Sequence, residues 1–439
     1  MLLRLRLANH RSIRDQVELS LVSTRMRAQH PPDSDWANAT NRIAGIYGAN
    51  ASGKSTVLHG FRFLTDAVRQ SATSWSDRQS FPHTPFAFDA ESRRQSSLYE
   101  VDFTVTGVRH TYGFRTKSNG IEEEWLYAYP TARRRMLFER SAEDIEFGRT
   151  LPGDNVRIGR ALRPTQLFLS LAAANKHSYL SPVRRQIIDH FRFARFDETD
   201  QEVRLRYVMR LLADQDALKE AEALLQLADL GISALHVQDV ELPAKVREIA
   251  RKMLESITPT GGAPILASDF DNFIRDYYEK QFRFIHGSEP DDLDHGLPIS
   301  DESSGTVAWL ALAVPALESL RNGDTFVVDE IDSSLHPRLT ARLIGFFRNP
   351  TLNTHGSQLI FTSHDTSLLG RLHGELLAPE EVWATEKDAT GGTDLYSLAE
   401  FSVRGRDNLE RRYLQGRYGG VPVIGNEALV AELARKSAS

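Results

Sequence analysis

Residues 43–58 read IAGIYGANASGKSTVL. The stretch has the form G-x-x-x-x-G-K-[ST]: Gly48, Gly53, Lys54 and Ser55 hold the fixed places, Asn50, Ala51 and Ser52 lie inside the loop, and Thr56 follows. Ahead of it, residues 43–47 are a short apolar run of strand type. Behind it, Val57, Leu58, Phe61 and Leu64 are spaced like one face of a helix. Strand, loop and helix in that order are what a phosphate-binding loop requires. Glycines let the backbone wrap closely enough for its N–H groups to point at phosphate oxygens, and the helix adds the positive end of its dipole. Lys54 is expected to reach the β- and γ-phosphates of ATP, and the Ser55 hydroxyl to ligate Mg²⁺. The plain alternative is a glycine-rich turn before an ordinary helix.

The chain has 439 residues, enough for two or three domains or for one domain with a large insertion. Its 41% hydrophobic and 26% charged residues are ordinary for a globular protein. A net charge of −6 provides no global positive field of the kind that marks a nucleic-acid binder, although a local basic groove stays open. With no cysteine, disulfides, Cys-ligated zinc and thiol catalysis are excluded. The N-terminal MLLRLRLANHRS lacks a continuous apolar core and does not read as a signal peptide. The longest largely apolar run, 307–317, falls short of the ~20 residues that span a bilayer. A cytoplasmic protein without a membrane partner is the default expectation.

Residues 2–7 alternate Leu and Arg, the period of a half-buried strand. After Asn9-His10-Arg11-Ser12 the alternation resumes over 17–21, which predicts a hairpin or meander. The polar stretch 25–41 reads as a loop and 55–70 as a helix. Two strands, 98–105 and 109–115, flank a Thr106-Gly107 turn, and 122–129 and 135–140 continue the β-rich character. The character changes near residue 160. Residues 166–174, 183–193 and 202–229 are helix-like, the last with a stripe of Leu205, Val208, Leu212, Leu218, Ala221 and Leu225 that reads as core packing. A strand over 231–242, a helix over 246–257, a loop over 258–262, a strand over 282–285 and an acidic turn over 287–294 follow. The expected organisation is an N-terminal nucleotide-binding part with a β-rich lobe (1–149), an inserted, mostly helical lobe (150–295), the C-terminal part of the nucleotide-binding domain (296–400) and an Arg-rich tail (401–439).

The second signal is DTFVVDEID, residues 324–332. Its apolar run has the look of a central parallel strand. It ends in Asp329 and Glu330: in a phosphate-loop enzyme the first acid helps hold Mg²⁺ and the second accepts a proton from the attacking water. Alone the pattern is weak; behind an upstream phosphate loop it is strong. Residues 358–362 form another buried-type strand, ending at Ser363-His364-Asp365, where His364 is placed either to touch a γ-phosphate or to hold the attacking water; the plain alternative is a structural histidine. Ser303-Ser304-Gly305-Thr306 stands ahead of a helical run, either as an anion-binding turn or as an ordinary serine N-cap.

Taken in order, the phosphate loop, the S-S-G-T turn, the V-V-D-E strand, Ser334-Leu335-His336-Pro337 and the Thr-Ser-His strand resemble an ABC-type ATPase, more narrowly the lineage of RecF, the SMC proteins and the OLD-type ATPases. The resemblance covers about 1–115 and 296–400. It implies an α/β fold: a P-loop NTPase head with a mixed β-sheet and flanking helices, carrying an inserted helical lobe. In that pattern Ser303-Ser304-Gly305 matches the signature motif, Ser334 to Pro337 the D-loop, and His364 the switch histidine. Asn9-His10-Arg11-Ser12 is similar to the Asn-Phe-Arg-Ser of the lineage, which implies that Arg11 approaches the nucleotide. The ESSGT turn and the histidine strand count against a hexameric AAA+ class.

Residues 383–387 (WATEK), 395–398 (LYSL) and 411–419 (RRYLQGRYG) look like the tail of stand-alone bacterial AAA-type ATP-binding proteins found in anti-phage, abortive-infection systems beside a nuclease or toxin, often TOPRIM-like. The likeness implies a switch ATPase that forms a homodimer or higher oligomer around ATP and controls such an effector. Glu330 would activate water, Asp329 and Ser55 would position Mg²⁺, Lys54 and Ser303 would neutralise charge, and His364 would sense the γ-phosphate. Two features depart from the pattern. No clear Q-loop glutamine is found, Gln79 ahead of Pro85-Phe86 being a poor match, and the inserted lobe lacks a long coiled coil. A low-turnover ATP-bound scaffold, and a DNA-end or DNA-repair ATPase using Arg133–Arg135, Arg184-Arg185 and residues 404–412, are the alternatives; a nucleic-acid partner belongs to the second.

Overall fold

The structure is a computed structural model that describes residues 1–24, 26, 31, 35–195, 198–212, 214–239, 245, 248, 280–287, 296–401 and 408–422. The Leu/Arg alternation forms β1 (Leu2–Ala8), paired antiparallel with β2 (Val17–Ser20). One helical turn, α1 (Trp36–Ala39), lies where the sequence suggested only loop, because Asp35 caps it by accepting from Asn38 N at 3.2 Å. Then come β3 (Ile43–Gly48) and α2 (Lys54–Gln70). Next are β4 (Ser97–Val105), β5 (Val108–Lys117), β6 (Gly120–Tyr129), β7 (Arg135–Ser141) and β8 (Asp144–Phe147). They are followed by α3 (Asn155–Arg160), α4 (Phe168–Ala174), α5 (Leu180–His190) and β9 (Phe191–Ala194). Residues 191–193 are therefore strand, not the last turn of a helix.

Helices α6 (Glu198–Leu211) and α7 (Gln215–Leu227) replace the single helix expected over 202–229. Asp214 ends that continuity: its carboxylate accepts from Asp216 N and Ala217 N at 3.0 and 3.1 Å, starting a new helix. Strands β10 (Ile232–Asp239), β11 (Lys280–His286) and β12 (Leu297–Pro298) form a small antiparallel sheet. The chain continues with α8 (Ser304–Asn322), β13 (Thr325–Val328), α9 (Pro337–Arg348), β14 (Gln358–Thr362), β15 (Val382–Lys387), β16 (Thr393–Ser397) and α10 (Leu409–Leu414). Of the helix expected over 246–257 only residue 248 is described. The 258–262 loop, 288–294 of the acidic turn, and 402–407 and 423–439 of the tail lie outside the described residues.

The chain divides into two compact units. The first comprises 1–193, 323–330 and 344–439, the second 194–322 and 331–343. The break falls at 193, not at the expected 150, because α3 to α5 share a core with the β-rich lobe: Ile158, Leu167, Phe168, Leu180, Val183 and Ile187 are buried in one cluster with Tyr99, Phe114 and Phe138. The first unit holds two sheets. One is seven-stranded and antiparallel, in the order β2-β1-β4-β5-β6-β7-β8; the other is six-stranded, β16-β15-β3-β14-β13-β9. In the latter, β15, β3, β14 and β13 run parallel and β16 runs antiparallel to β15.

Helix α2 buries Val57, Leu58, Phe61, Leu64, Ala67 and Val68, the i, i+3, i+4, i+7 face read from the sequence. Each of these except Ala67 contributes about 1.5–3 kcal/mol of burial. Gly60 lets the helix approach β1 so closely that a Cβ there would sit 2.5 Å from Leu7 Cδ1. Gln358 pins β1 to β14, accepting from Leu2 N at 2.7 Å and donating to Leu2 O at 2.8 Å. In the second unit α8 is buried almost all round, and its Trp309 indole donates to Leu224 O at 2.8 Å. Among the described residues no helix is long and apolar enough to cross a membrane.

Candidate functional site

Strand β3 is hydrogen-bonded between β15 and β14, both parallel to it. Its carboxyl end therefore opens on the edge of the sheet where ligands of open α/β folds sit. From Gly48 the chain turns through 49–53 into α2. Gly53 has φ +114°, a conformation natural only to glycine, and a Cβ there would strike the Thr393 side chain. The loop is braced from β15 and β16. Thr385 Oγ1 meets Ser52 Oγ at 2.6 Å, and Thr393 Oγ1 donates to Ser52 O at 2.9 Å. Lys54 is 5% exposed and folds back along the loop, donating from Nζ to Gly48 O at 2.8 Å and Ala49 O at 3.1 Å. Its ammonium is thus held inside the ring of backbone that would surround a phosphate.

The carboxylates stand at the end of β13. Asp329 Oδ1 accepts from Ser55 Oγ at 2.9 Å and from Thr362 Oγ1 at 2.7 Å. Thr362 closes β14, the strand between β3 and β13, and its hydroxyl also accepts from Glu330 N at 2.7 Å. Glu330 takes φ +54°, a left-handed conformation that an L-residue adopts at a cost of about 1–2 kcal/mol. The cost is borne by the hydrogen bond to its N–H and leaves an exposed carboxylate facing the loop. His364 follows β14 and is exposed.

These pieces line one cleft of about 860 Å³: Asn50, Ala51, Ser52, Gly53, Lys54, Ser55 and Thr56 of the loop, Ser12 from the turn after β1, Glu330 and His364. The hydroxyl and carboxylate oxygens of Ser55 and Asp329 converge on one point, a hard-oxygen pair of the kind Mg²⁺ takes together with water and phosphate oxygens. Among the described residues no group of three or more His, Asp or Glu could hold a metal ion.

Arg11, expected at the nucleotide, is not among the lining residues. It has φ +51° and its N–H donates to Thr84 O at 2.8 Å, and the next residue, Ser12, lines the cleft. Gln79 is exposed and does not line the cleft either. Ser303, Ser304 and Gly305 belong to the second unit. There Ser303 Oγ accepts from Thr306 N at 3.1 Å and so caps α8, while Gly305 leaves room for Ser334 O, 3.4 Å from where its Cβ would be. Arg184, one of the arginines considered for nucleic acid, donates to Val68 O at 3.1 Å and Arg69 O at 2.8 Å and thereby caps the C-terminus of α2.

Sequence reasoning missed Ser12, Thr362, Thr385 and Thr393. Thr362 was within sight, one residue ahead of the Ser-His pair. Thr385 and Thr393 reach the loop because β15 pairs with β3 and β16 with β15, and Ser12 reaches it from the turn after β1, where it meets Thr56 and Thr393.

A protein-family model described as "AAA domain, putative AbiEii toxin, Type IV TA system" matches residues 43–370. The chain belongs to this family. The matched span of this AAA domain begins with the loop strand and runs past His364, so it takes in every lining residue of the cleft except Ser12. No curated protein matches the chain. Among solved structures it is similar to an Smc head bound to the C-winged helix domain of ScpA, with 11% identity and TM-score 0.43 over 90% of this chain and 97% of that one. Another is an Smc head domain with an extended coiled coil, bound to the C-terminal domain of ScpA, derived from Pyrococcus furiosus, with 14% identity and TM-score 0.36 over 90% and 96%.

Proposed function

We propose that the protein is a nucleotide-gated switch: it binds and hydrolyses ATP in this cleft, dimerises around it, and so controls a partner effector. The observation that carries the reading is the convergence on one cleft of the glycine loop, Lys54, Ser55 with its Asp329 partner, Glu330 and His364. A triphosphate lies against the N–H groups of 50–56 and the positive end of α2. Lys54 exchanges the carbonyls of Gly48 and Ala49 for β- and γ-phosphate oxygens. Glu330 takes the proton of the attacking water, and His364 hydrogen-bonds the γ-phosphate. Mg²⁺, held by Ser55 and Asp329, would supply charge neutralisation between the β- and γ-phosphates.

A second copy contributes Ser303, Ser304 and Gly305 at the N-terminus of its α8, closing on the γ-phosphate from the far side. ATP is then part of the interface, and hydrolysis removes the bridge. The partner is a nuclease- or toxin-type effector of an anti-phage system in the cytoplasm. What supports this finer part is the toxin and toxin–antitoxin wording of the family description together with the tail motifs of the sequence.

The deciding experiment is light scattering of Glu330→Gln with Mg²⁺ and saturating ATP. A dimer that falls apart when ATP is withdrawn, and that Ser303→Arg prevents, is the expected result. A monomer under saturating ATP contradicts the switch.

A further inference from the structure

The stretch 411–420, RRYLQGRYGG, gives no residue to the lining of the phosphate cleft, yet its backbone is closely tied. Asn408 accepts from Arg411 N at 3.1 Å and starts α10. Arg417 N donates to Arg412 O at 3.1 Å and Gly416 N to Tyr413 O at 2.8 Å, the pattern of a Schellman turn. Gly416 supplies the left-handed residue of that turn, with φ +70°. On α10, Leu409 and Tyr413 are four residues apart and buried, while Leu414 is 55% exposed. Tyr418, beyond the turn, is buried as well, and its carbonyl accepts from Tyr396 Oη at 2.6 Å.

What this segment packs against gives it a role. Tyr413 meets Tyr47 edge-on, with ring centroids 6.2 Å apart at 68°, and Tyr47 is the residue ahead of Gly48. The Tyr413 hydroxyl donates to Gly420 O at 3.0 Å. That bond seats Gly420 on the ends of β3 and β15: a Cβ on it would lie 3.7 Å from Gly48 Cα and 3.4 Å from Thr385 O. Gly48 opens the phosphate loop, and its carbonyl accepts from Lys54 Nζ. A Cβ on Gly48 would strike Thr385 and Ser52, so its main chain is enclosed by these two residues and by the tail. Further along the same segment, the Glu410 carboxylate lies where a Cβ on Gly370, six residues past His364, would be. All of these residues belong to the first unit.

A phosphate loop binds through main-chain N–H groups, and the two ends of the loop fix where those groups point. One end runs into α2; the other is Gly48. We infer that the 408–420 segment is a brace that positions the phosphate loop. Tyr413 and Gly420 hold Gly48 in the conformation that accepts a triphosphate, and Glu410 ties the same brace to the segment after His364. The inference rests on the reading of the cleft as a triphosphate site. Tyr413, Gly420 and Glu410 do not line the cleft, so they act on it through Gly48. The coupling is reciprocal: what docking of the tail contributes to phosphate binding, phosphate contributes to docking of the tail.

The test is calorimetric titration of the full chain and of Tyr413→Ala, Tyr413→Phe and Leu414→Ala with ATP and with inorganic tripolyphosphate, in Mg²⁺, at a temperature where each is folded by circular dichroism. Tyr413→Ala is expected to weaken both ligands alike, roughly tenfold or more, while Leu414→Ala, on the exposed face of the same helix, binds like the parent. Tyr413→Phe removes only the bond to Gly420 O and keeps the question open to test where the alanine variant does not fold. It is expected to weaken both ligands about fivefold. In the parent, tripolyphosphate is expected to slow hydrogen exchange of the α10 amides, which a contact without influence on the loop would leave unmoved. Parent-like affinity in the Tyr413 variants, weakening of ATP alone, or unchanged exchange in α10 overturns the inference. A parent chain that binds neither ligand overturns the reading of the cleft itself.

Discussion

The Ser55 hydroxyl donates to Asp329 Oδ1 across 2.9 Å and so joins the first turn of α2 to the end of β13, 274 residues away. The pair presents two oxygens already in register for one cation. Ser55→Ala is expected to keep the fold and to weaken the Mg²⁺ dependence of ATP binding at least ~10-fold, with Asp329→Asn behaving alike. Titration of ATP with and without Mg²⁺ measures it. Equal Mg²⁺ dependence in parent and variants would detach the pair from the metal.

Glu330 carries its carboxylate on a left-handed backbone, aimed at the loop. Glu330→Gln keeps the size and removes the proposed base. Steady-state turnover is expected to fall on the order of 10²–10⁴-fold with ATP affinity preserved. Phosphate release at the parent rate would assign the proton to another group. A parent rate no higher than that of Lys54→Ala would instead favour the scaffold alternative.

Thr362 serves both acids through one oxygen, donating to Asp329 and accepting from Glu330 N. Thr362→Val keeps the shape and orphans both. It is expected to cost about 1–3 kcal/mol of stability from the unpaired partners and to lower kcat more than it raises KM. Thr362→Ser should restore both. An unchanged kcat in the valine variant would reduce Thr362 to a packing residue.

Much of this arrangement was legible before any coordinates. The loop, the D-E strand and the histidine strand announce themselves because each couples a fixed polar pattern to an apolar run, and β3, β13 and β14 fall where those runs lie. Ser12, Thr385 and Thr393 were not legible. A hydroxyl near a loop has no periodicity, and its role exists only once β16 lies beside β15 and β15 beside β3. The Asn-x-Arg-Ser spelling pointed to Arg11, whereas the residue of that turn that lines the cleft is Ser12. The break between α6 and α7 was hidden because the apolar stripe continues through Asp214, whose capping role overrides it.

His10 gives the fold a sensitivity to acid. It is buried, stacked on His59 and hydrogen-bonded by Tyr99, with Arg11 and His83 nearby. Burial first, then these positive neighbours, lowers its pKa from 6.5 to about 3. The unfolded chain therefore takes up the proton first. The stability this residue contributes is fully present above pH 6.5 and is lost as the pH falls from there toward 3. Between pH 7 and pH 5 its share is about 2 kcal/mol. Urea unfolding of His10→Gln should show a loss over that interval smaller by about that amount. Identical losses would mean that His10 takes up its proton at the same pH in the folded and the unfolded chain.

The strand that ends in the glycine loop has both its neighbours, β14 and β15, near the far end of the chain. A nascent polypeptide still leaving the ribosome therefore carries the loop long before it has either wall to hold it open. If the cleft takes ATP as proposed, an unfinished copy has no complete site to hold it, by the order of synthesis alone.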